Sequence, residues 1–291
     1  MEFAKKRIFQ KLKLKYNFDI LFDVAKYLVA ILIAILFLVP LYIVLVSSFK
    51  DQAQIMLNPF GLPKTFIFAN YITGINRVGF FQALGLSLWI TIASVIVIVL
   101  FTSMTAWIIT RVKTKLSKII YYAFIVSMIV PFQLVMFPLV YTSSNWFNLD
   151  NPLGIVLIYL GFGSGLSVFL FCGFIKSIPI SIEEAAMIDG CNPIKTFFYV
   201  VVPLIKPILI TVSILNVMWI WNDFLLPYRV LDISSFKTIP IAIQYLKDGY
   251  GGIEYGPMTA LIVLSIIPIV IFYLALQKYI INGVIAGAVK G

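Results

Sequence analysis

The sequence contains six long apolar runs, and about 20 consecutive apolar residues are what an α-helix needs to cross a lipid bilayer. The runs lie near residues 27–46, 84–109, 119–140, 153–175, 204–226 and 258–276. They are continuous and do not alternate with polar residues, which favours helices over a membrane β-barrel. Only 12% of the residues are charged, about half the share typical of a soluble domain. The sequence therefore predicts an all-α integral membrane protein with six transmembrane helices.

The 22 Lys and Arg residues are distributed unevenly between the two ends of these runs. If the N-terminus lies in the cytoplasm, 16 of them are cytoplasmic and 6 are external, in agreement with the positive-inside rule. This orientation predicts a basic cytoplasmic segment over residues 1–26, a single membrane domain over 27–291 and cytoplasmic N- and C-termini. Loop 179–202 is then cytoplasmic, and loops 48–83 and 227–257 are external. The net charge of +10 is explained by orientation and does not predict nucleic-acid binding.

The cytoplasmic loop 179–202 is polar although it lies between two apolar runs, and it predicts a helix, a sharp turn and a second helix. Ser181 and Glu184 have the spacing of a capping box at the start of the first helix. Gly190 supplies a left-handed residue that ends this helix. Asn192-Pro193 then predicts an N-cap followed by proline at the first helical position. Such an element predicts a docking site for a component outside the membrane.

Within this loop, Glu184-Ala-Ala186 followed by Asp189-Gly190 resembles the EAA loop of ABC importer permeases, and Pro203 begins the next span as it does there. Cys191 and Val202 depart from the Ala and Leu that are common in the family, and both are mild apolar changes. The resemblance implies that the loop forms coupling helices seated in a cleft of an ATPase subunit. The residues that it implies for this coupling are Glu183, Glu184, Ala185, Ala186, Asp189 and Gly190.

The resemblance extends to both ends of the chain. Pro40–Lys50, Trp221-Asn-Asp-Phe224 and the C-terminal Ala286–Gly291 are similar to carbohydrate-importer permeases of the MalG-like kind. This implies a type I ABC importer permease fold in the bacterial cytoplasmic (inner) membrane, for ATP-driven uptake of a sugar, with an oligosaccharide expected. The implied partners are a second, MalF-like permease, a MalK-like ATPase dimer and an external sugar-binding protein. ATP and magnesium would be held by the ATPase, so no cofactor is expected on this chain.

Two external features have more than one interpretation. Trp221, Asn222 and Asp223 at the outer end of the fifth run are either an interfacial belt or groups that face a substrate pathway. The Gly-rich residues 247–256 are typical of a tight turn. By resemblance to the maltose system they would instead face the binding protein, through Gly249, Gly251 and Gly252.

In the fourth run, Gly161 and Gly165 form a small-xxx-small pair, which predicts close packing of this helix against a neighbour. Gly154 lies on the same side of the helical wheel.

The residue types exclude several kinds of chemistry. The chain has no His, so it has no Ser-His-Asp or Cys-His site and no His-ligated metal site. Its two Cys residues, Cys172 and Cys191, form no CxxC motif. A P-loop is lacking as well, which predicts a transport subunit that does not itself hydrolyse ATP. The alternative is a secondary transporter or channel for a small polar solute, but the middles of the spans lack the ionisable groups expected there.

Overall fold

A computed structural model describes residues 2–246 and 252–288, and the side chains of residues 22–246 and 252–277. In these ranges the chain is helical and contains no extended strand. The helices, in chain order, are α1 (Glu2–Ser47), α2 (Gln52–Leu57), α3 (Ala69–Val78), α4 (Phe80–Arg111), α5 (Lys115–Ile129), α6 (Phe132–Asn145), α7 (Pro152–Ile175), α8 (Ser181–Ile188), α9 (Pro193–Thr196), a π-helical turn (Phe197–Val201), α10 (Val202–Leu204), α11 (Lys206–Asn222), α12 (Leu225–Val230), α13 (Ile239–Gln244) and α14 (Tyr255–Ala288).

Four straight segments of the described chain are long and apolar enough to cross a membrane. They are Phe22–Ser47, Phe80–Arg111, Pro152–Ile175 and Tyr255–Gln277. Two further pairs of helices meet the same criterion together but are bent at a short break. The described chain thus has four straight candidate spans, or six if each bent pair is one span, and the six-span topology stays a prediction.

The predicted third span, 119–140, is wrong as a single straight helix. Helices α5 and α6 meet there at an angle of 101°. The break lies at Val130 and Pro131, and Val130 has extended backbone angles, φ −76° and ψ 111°. A proline disfavours helical angles in the residue before it, and it has no N–H to continue the hydrogen-bond ladder. Pro131 was therefore the sequence signal that this prediction missed.

The predicted fifth span, 204–226, is also interrupted. The segment Pro193–Leu204 meets α11 at 80°, with the break at Ile205. Pro207 cannot donate a hydrogen bond to the carbonyl four residues earlier, which explains a break at this point. At its other end α11 stops at Asn222, and the Asp223 carboxylate accepts hydrogen bonds from the N–H groups that begin α12. The helix therefore ends before the predicted boundary.

The contacts divide the chain into two compact units. The first consists of Met1–Ile72 and Glu254–Val263, and the second of Thr73–Ile253 and Leu264–Gly291. Helix α1 runs without a break through residue 26, the predicted end of the basic N-terminal segment. The single domain predicted over 27–291 stays a prediction.

In the first unit, the segment after α1 is ordered around Phe49 and Lys50. Three aromatic rings have their centres 5.4–5.6 Å from the centre of the Phe49 ring, and they belong to Phe66, Phe68 and Tyr71. Lys50 is only 1% exposed, and its ammonium donates to the carbonyl oxygens of Asn58 and Pro59 at 2.9 and 3.1 Å. Burial lowers the pKa of this ammonium from its ordinary value. The Asn70 amide donates to two backbone carbonyls nearby, so the predicted external loop 48–83 has a defined structure.

The second unit is organised around α7, which packs chiefly against α4 and also against α5 and α11. Two clusters of buried side chains lie along α7. One surrounds Tyr159 and Ile98, and the other surrounds Phe171 and Ile205, all four of which are fully buried. Because α7 is buried over most of its length, its apolar residues form a core between helices as well as a membrane span.

The two glycines of the predicted small-xxx-small pair have different surroundings. A Cβ atom at Gly165 would lie 2.8 Å from the carbonyl oxygen of Phe124 on α5, so that glycine permits close approach of the two helices. A Cβ atom at Gly161 would meet nothing within 4 Å. The prediction of packing is confirmed for Gly165 and is wrong for Gly161 within this chain. Gly163, between them, packs against Ile98 and Asn216.

We expect Gly165→Ala to destabilise the purified chain by about 1–3 kcal/mol, because the added methyl group overpacks the contact between α5 and α7. Gly161→Ala is the matched control. It adds the same methyl group to the same helix in open space, and it should be neutral or stabilise by about 0.5–1 kcal/mol through helix propensity. Thermal unfolding in detergent measures both variants. Equal unfolding temperatures for the two variants would contradict the assignment of Gly165 to the helix interface.

Candidate functional site

The start of α8 differs from the predicted capping box. Ile180 is the N-cap residue and already has helical backbone angles, φ −64° and ψ −27°, and no side chain caps this end. The N–H groups of Ile182 and Glu183 donate to the carbonyls of Pro179 and Ile180. Because a Ser cap requires extended backbone angles, Ser181 cannot act as one from inside the helix. The prediction of a capping box formed by Ser181 and Glu184 is therefore wrong.

The end of α8 and the start of α9 are as predicted. Gly190 has φ +87°, in the left-handed region. Its N–H donates to the Met187 carbonyl, and the Cys191 N–H donates to the Ala186 carbonyl, which together form a Schellman motif. The Asn192 side chain then accepts from the Lys195 N–H at 2.8 Å and caps α9. Gly190 thus sets a fixed angle between the two helices of the loop.

Glu183 anchors α8 to the helix bundle. Its carboxylate accepts hydrogen bonds from Arg111 Nε at 3.0 and 3.1 Å and from Arg111 Nη2 at 2.6 Å. Trp107 Nε1 donates to the same carboxylate at 2.9 Å. Both donors lie on the last turns of α4, and Glu183 is only 3% exposed. The contact between Arg111 and Glu183 was not predicted from the sequence. The signal for it was a charged residue, Arg111, directly after an apolar run.

The Arg111 guanidinium also binds the turn that leads into α8. Nη2 donates to the Ile178 carbonyl at 3.1 Å, so one side chain contacts both the turn and Glu183. The Trp107 ring lies 5.5 Å from the ring of Phe197, in the π-helical turn that follows α9. Helix α4 therefore contacts the loop at α8 and again beyond α9. A bidentate pair with an added indole donor holds α8 in one orientation.

Most of the other predicted coupling residues are exposed. Glu184 and Ala185 are exposed, as are Asp189 and Gly190, while Ala186 is partly buried. Adjacent residues of a helix diverge by about 100°, which explains why Glu183 points inward and Glu184 outward. In the described residues the Glu184 carboxylate makes no hydrogen bond or ion pair. It is therefore available to a basic group of another protein.

Large apolar side chains are also exposed in this loop and its continuation. Four residues of the loop and its continuation are at least 47% exposed: Met187, Ile188, Ile194 and Tyr199. Ile188, at 87%, has almost no neighbours. Clusters of exposed apolar groups of this kind mark docking surfaces. We call the surface of Glu184, Ala185, Met187, Ile188 and Ile194 the α8 surface.

The three residues predicted near the outer end of the fifth run have different positions. Trp221 is buried, and its Nε1 donates to the Ser265 carbonyl at 3.3 Å. Asn222 is exposed and donates to the Met218 carbonyl one turn earlier. Asp223 is partly buried, and its carboxylate accepts from the Tyr159 hydroxyl at 3.1 Å and from the first N–H groups of α12. Asp223 thus has a structural role at a helix end, and Asn222 is the most accessible of the three.

A cavity of about 710 Å³ lies between α6 and α12, away from these three residues. Its polar lining includes the hydroxyls of Tyr141 and Tyr228, Asn145 and Arg229. Arg229 lies against the Tyr228 ring, 5.5 Å from its centre. The aromatic residues and hydrogen-bonding groups suit a polar organic ligand. The cavity between α6 and α12 was not predicted from the sequence, because α6 was expected to be part of a straight span.

The remaining predicted positions are external glycines. Gly249 and Gly251 lie outside the described residues, and Gly252 is exposed. In the described ranges no group of three or more Cys, Asp or Glu side chains could hold a metal ion.

Comparison with known proteins gives three concordant findings. The sequence model of one family, described as "Binding-protein-dependent transport system inner membrane component", matches residues 98–285. The chain is 41% identical to a "Probable starch degradation products transport system permease protein AmyC" of Thermoanaerobacterium thermosulfurigenes, over 92% of this chain and 98% of that protein. It is 37% identical to a "Multiple sugar-binding transport system permease protein MsmG" of Streptococcus mutans, over 91% of this chain and 96% of that protein.

One solved structure has a similar fold. It is described as a "bacterial ABC transporter involved in the import of the acidic polysaccharide alginate". The TM-score is 0.76 at 23% identity, over 90% of this chain and 97% of the compared chain.

We expect Arg111→Met or Glu183→Gln to destabilise the chain by about 3–5 kcal/mol, because each change leaves the other partner of a buried ion pair without compensation. The double variant Arg111→Met/Glu183→Gln should be less destabilised than the sum of the two single changes. Glu184→Gln is the control. It alters the neighbouring, exposed carboxylate and should change stability by no more than about 0.5 kcal/mol. Thermal unfolding and limited proteolysis of loop 179–202 measure these effects, and equal behaviour of Glu183→Gln and Glu184→Gln would refute the anchor.

Proposed function

We propose that this member of the family of binding-protein-dependent transport system inner membrane components is one permease subunit of an ABC importer for a sugar. Its relatives are named as permease proteins of sugar transport systems, which are transport components and not enzymes. The chain forms half of the membrane pathway and pairs with a second, related permease. Names that include starch degradation products and multiple sugars favour an oligosaccharide as the substrate.

The observation that carries this proposal is the contrast between the two faces of α8. One face is fixed to α4 through Glu183, Arg111 and Trp107. The other exposes Glu184 and the apolar residues of the α8 surface. A helix that is firmly held on one side and uncovered on the other is suited to transmit the movement of a docked protein. We propose a cytoplasmic ATPase dimer as that partner.

In the proposed mechanism, ATP binding closes the ATPase dimer and moves α8 with the subunit on which it docks. The Arg111–Glu183 pair transmits this movement to α4, and the packing of α4 on α7 transmits it to the bundle. Gly190 keeps α8 and α9 at a fixed angle, so the loop moves as one piece. Small displacements at the docked surface then alternate the access of a central cavity between the two sides of the membrane.

On the external side, we place the substrate pathway and the contact with a sugar-binding protein. The aromatic rings and hydrogen-bonding groups of the cavity between α6 and α12 suit a sugar. The Asn222 amide alone would supply no aromatic ring for such a ligand. The contact with the binding protein is proposed to be made by Gly249, Gly251 and Gly252. We place the chain in the bacterial inner membrane, and α8 and both termini in the cytoplasm. A secondary transporter or channel is not favoured, because the relatives are ABC permeases.

Purification of a tagged copy from native membranes in mild detergent tests the proposed function. We expect a second permease and an ATPase to accompany the chain, and ATP hydrolysis by this complex to rise when the correct sugar and its binding protein are added. A screen of oligosaccharides by this stimulation identifies the substrate. Recovery of the chain only as a homo-oligomer would instead favour the secondary transporter or channel.

We expect Glu184→Lys to abolish sugar uptake while the protein remains folded in the membrane, because the reversed charge repels a basic group on the docked ATPase. The amount of chain in membranes and its unfolding temperature should stay unchanged, since Glu184 is exposed. Gly190→Pro should also uncouple uptake, because proline cannot adopt the positive φ of this turn. Lys64→Glu, an equal and opposite change of charge in the external segment, is the control and should transport normally. Full uptake by Glu184→Lys would show that this face does not couple to the ATPase.

A further inference from the structure

A second cavity lies at the same end of the bundle as α8, where α4 ends, α5 begins and α7 ends. Its volume is about 530 Å³. Its polar lining includes three lysines, one from each of these regions: Lys113, Lys118 and Lys176. The coupling proposal makes no use of this cavity, because the α8 surface contains none of these lysines.

The three ammonium groups have no anionic partner in the described part of the chain. All three lysines are exposed, and no described carboxylate lies within ion-pair distance of any of them. The buried carboxylate at this end, Glu183, is already paired with Arg111. Lysines that only satisfy the positive-inside rule can spread over a surface. These three line one cavity from the turn after α4, from α5 and from the end of α7, so their charges add within it.

Two further features favour an anion at this position. Thr114 caps α5, and its hydroxyl lies 3.0 Å from that of Ser117, so two hydroxyl groups line the cavity beside a helix N-terminus. The first turn of a helix carries partial positive charge on its free N–H groups. Lys176 lies over the ring of Tyr121, 5.2 Å from its centre, and this cation–π contact holds its ammonium at the wall.

The rest of the lining is mostly apolar and is formed by Ile109, Thr110, Val112, Tyr121 and Cys172. A site with lysines and hydroxyls beside apolar walls, located at the ends of membrane spans, matches the two parts of a phospholipid. The phosphate would contact the lysines and hydroxyls, and the glycerol and first acyl carbons would contact the apolar side chains. A free phosphate ion would leave those side chains uncovered.

We propose that this cavity binds the phosphate of an anionic phospholipid headgroup. Basic pockets between membrane helices are suited to such headgroups, and each Lys near the surface contributes about 1 kcal/mol to attraction. The bound lipid contacts α4, α5 and α7 together. It therefore stabilises the end of the bundle that holds Arg111, and through Arg111 the position of α8.

The test compares the purified chain in phosphatidylcholine nanodiscs with and without phosphatidylglycerol, by native mass spectrometry and thermal unfolding. Inorganic phosphate is titrated separately in detergent. The test variant is the triple change Lys113→Gln, Lys118→Gln and Lys176→Gln. The matched control is Lys115→Gln, Lys195→Gln and Lys206→Gln, which removes the same charge from the same end without touching the cavity lining.

We expect retained phosphatidylglycerol and a higher unfolding temperature for the wild-type chain and the control. The cavity variant should bind this lipid more weakly by a factor on the order of 100, from three lost lysines. Replacement of the three lysines by Arg should preserve binding, since charge is kept. Tight binding of inorganic phosphate without any preference for phosphatidylglycerol would overturn the lipid assignment in favour of a soluble phosphate. Equal lipid binding by the cavity variant and the control would overturn the site itself.

Discussion

The buried carboxylate of Glu183 fixes the loop that contains α8 to the last turns of α4. A carboxylate removed from water is costly unless it is fully paired, and here Arg111 supplies a bidentate ion pair and Trp107 a further donor. All these donors lie on the last turns of α4, so α8 has one favourable orientation on the bundle. The same contact leaves the opposite face of α8 exposed. A structural anchor and the face proposed for docking thus come from two adjacent residues of one short helix.

Interruptions of the membrane helices are the second determinant of this architecture. In lipid, backbone groups must be satisfied internally, so breaks in a span are tolerated where neighbouring helices surround them or water has access. Pro131 lies at the break between α5 and α6, and Pro207 lies just after the break between α10 and α11. Between that loop and α11, the π-helical turn of Phe197–Val201 packs its buried residues into the core around Phe171. The break at Ile205 directs α9 and α10 away from the axis of α11, and the turn between them places Phe197 against Trp107 near the end of α4.

Sequence patterns predicted the helical class, the six apolar regions, the Gly190 turn and the Asn192 cap. These features depend on local chemistry: hydrophobic length, the left-handed freedom of glycine, and a side-chain oxygen beside free N–H groups. Predictions failed where the conformation or packing of a residue depends on the surrounding structure. Ser181 could not cap because the preceding turn already continues the helix through Ile180. Gly161 and Gly165 look equivalent in sequence, yet only Gly165 lies against another helix. Straight spans were expected where Pro131 and Pro207 allow bends.

The sequence by itself indicated an α-helical membrane protein, predicted that one polar loop docks outside the membrane, and showed which residues resemble an EAA loop. It could do so because bilayer thickness, charge asymmetry and turn chemistry act on short stretches of chain. Only the tertiary structure decided the roles of Glu183 and Glu184, since a helix turns adjacent residues about 100° apart and the partner Arg111 lies 72 residues away in sequence. For the same reason, only the structure brought three lysines from separate parts of the chain around one cavity. Such contacts depend on how distant helices pack, and local sequence does not record that packing.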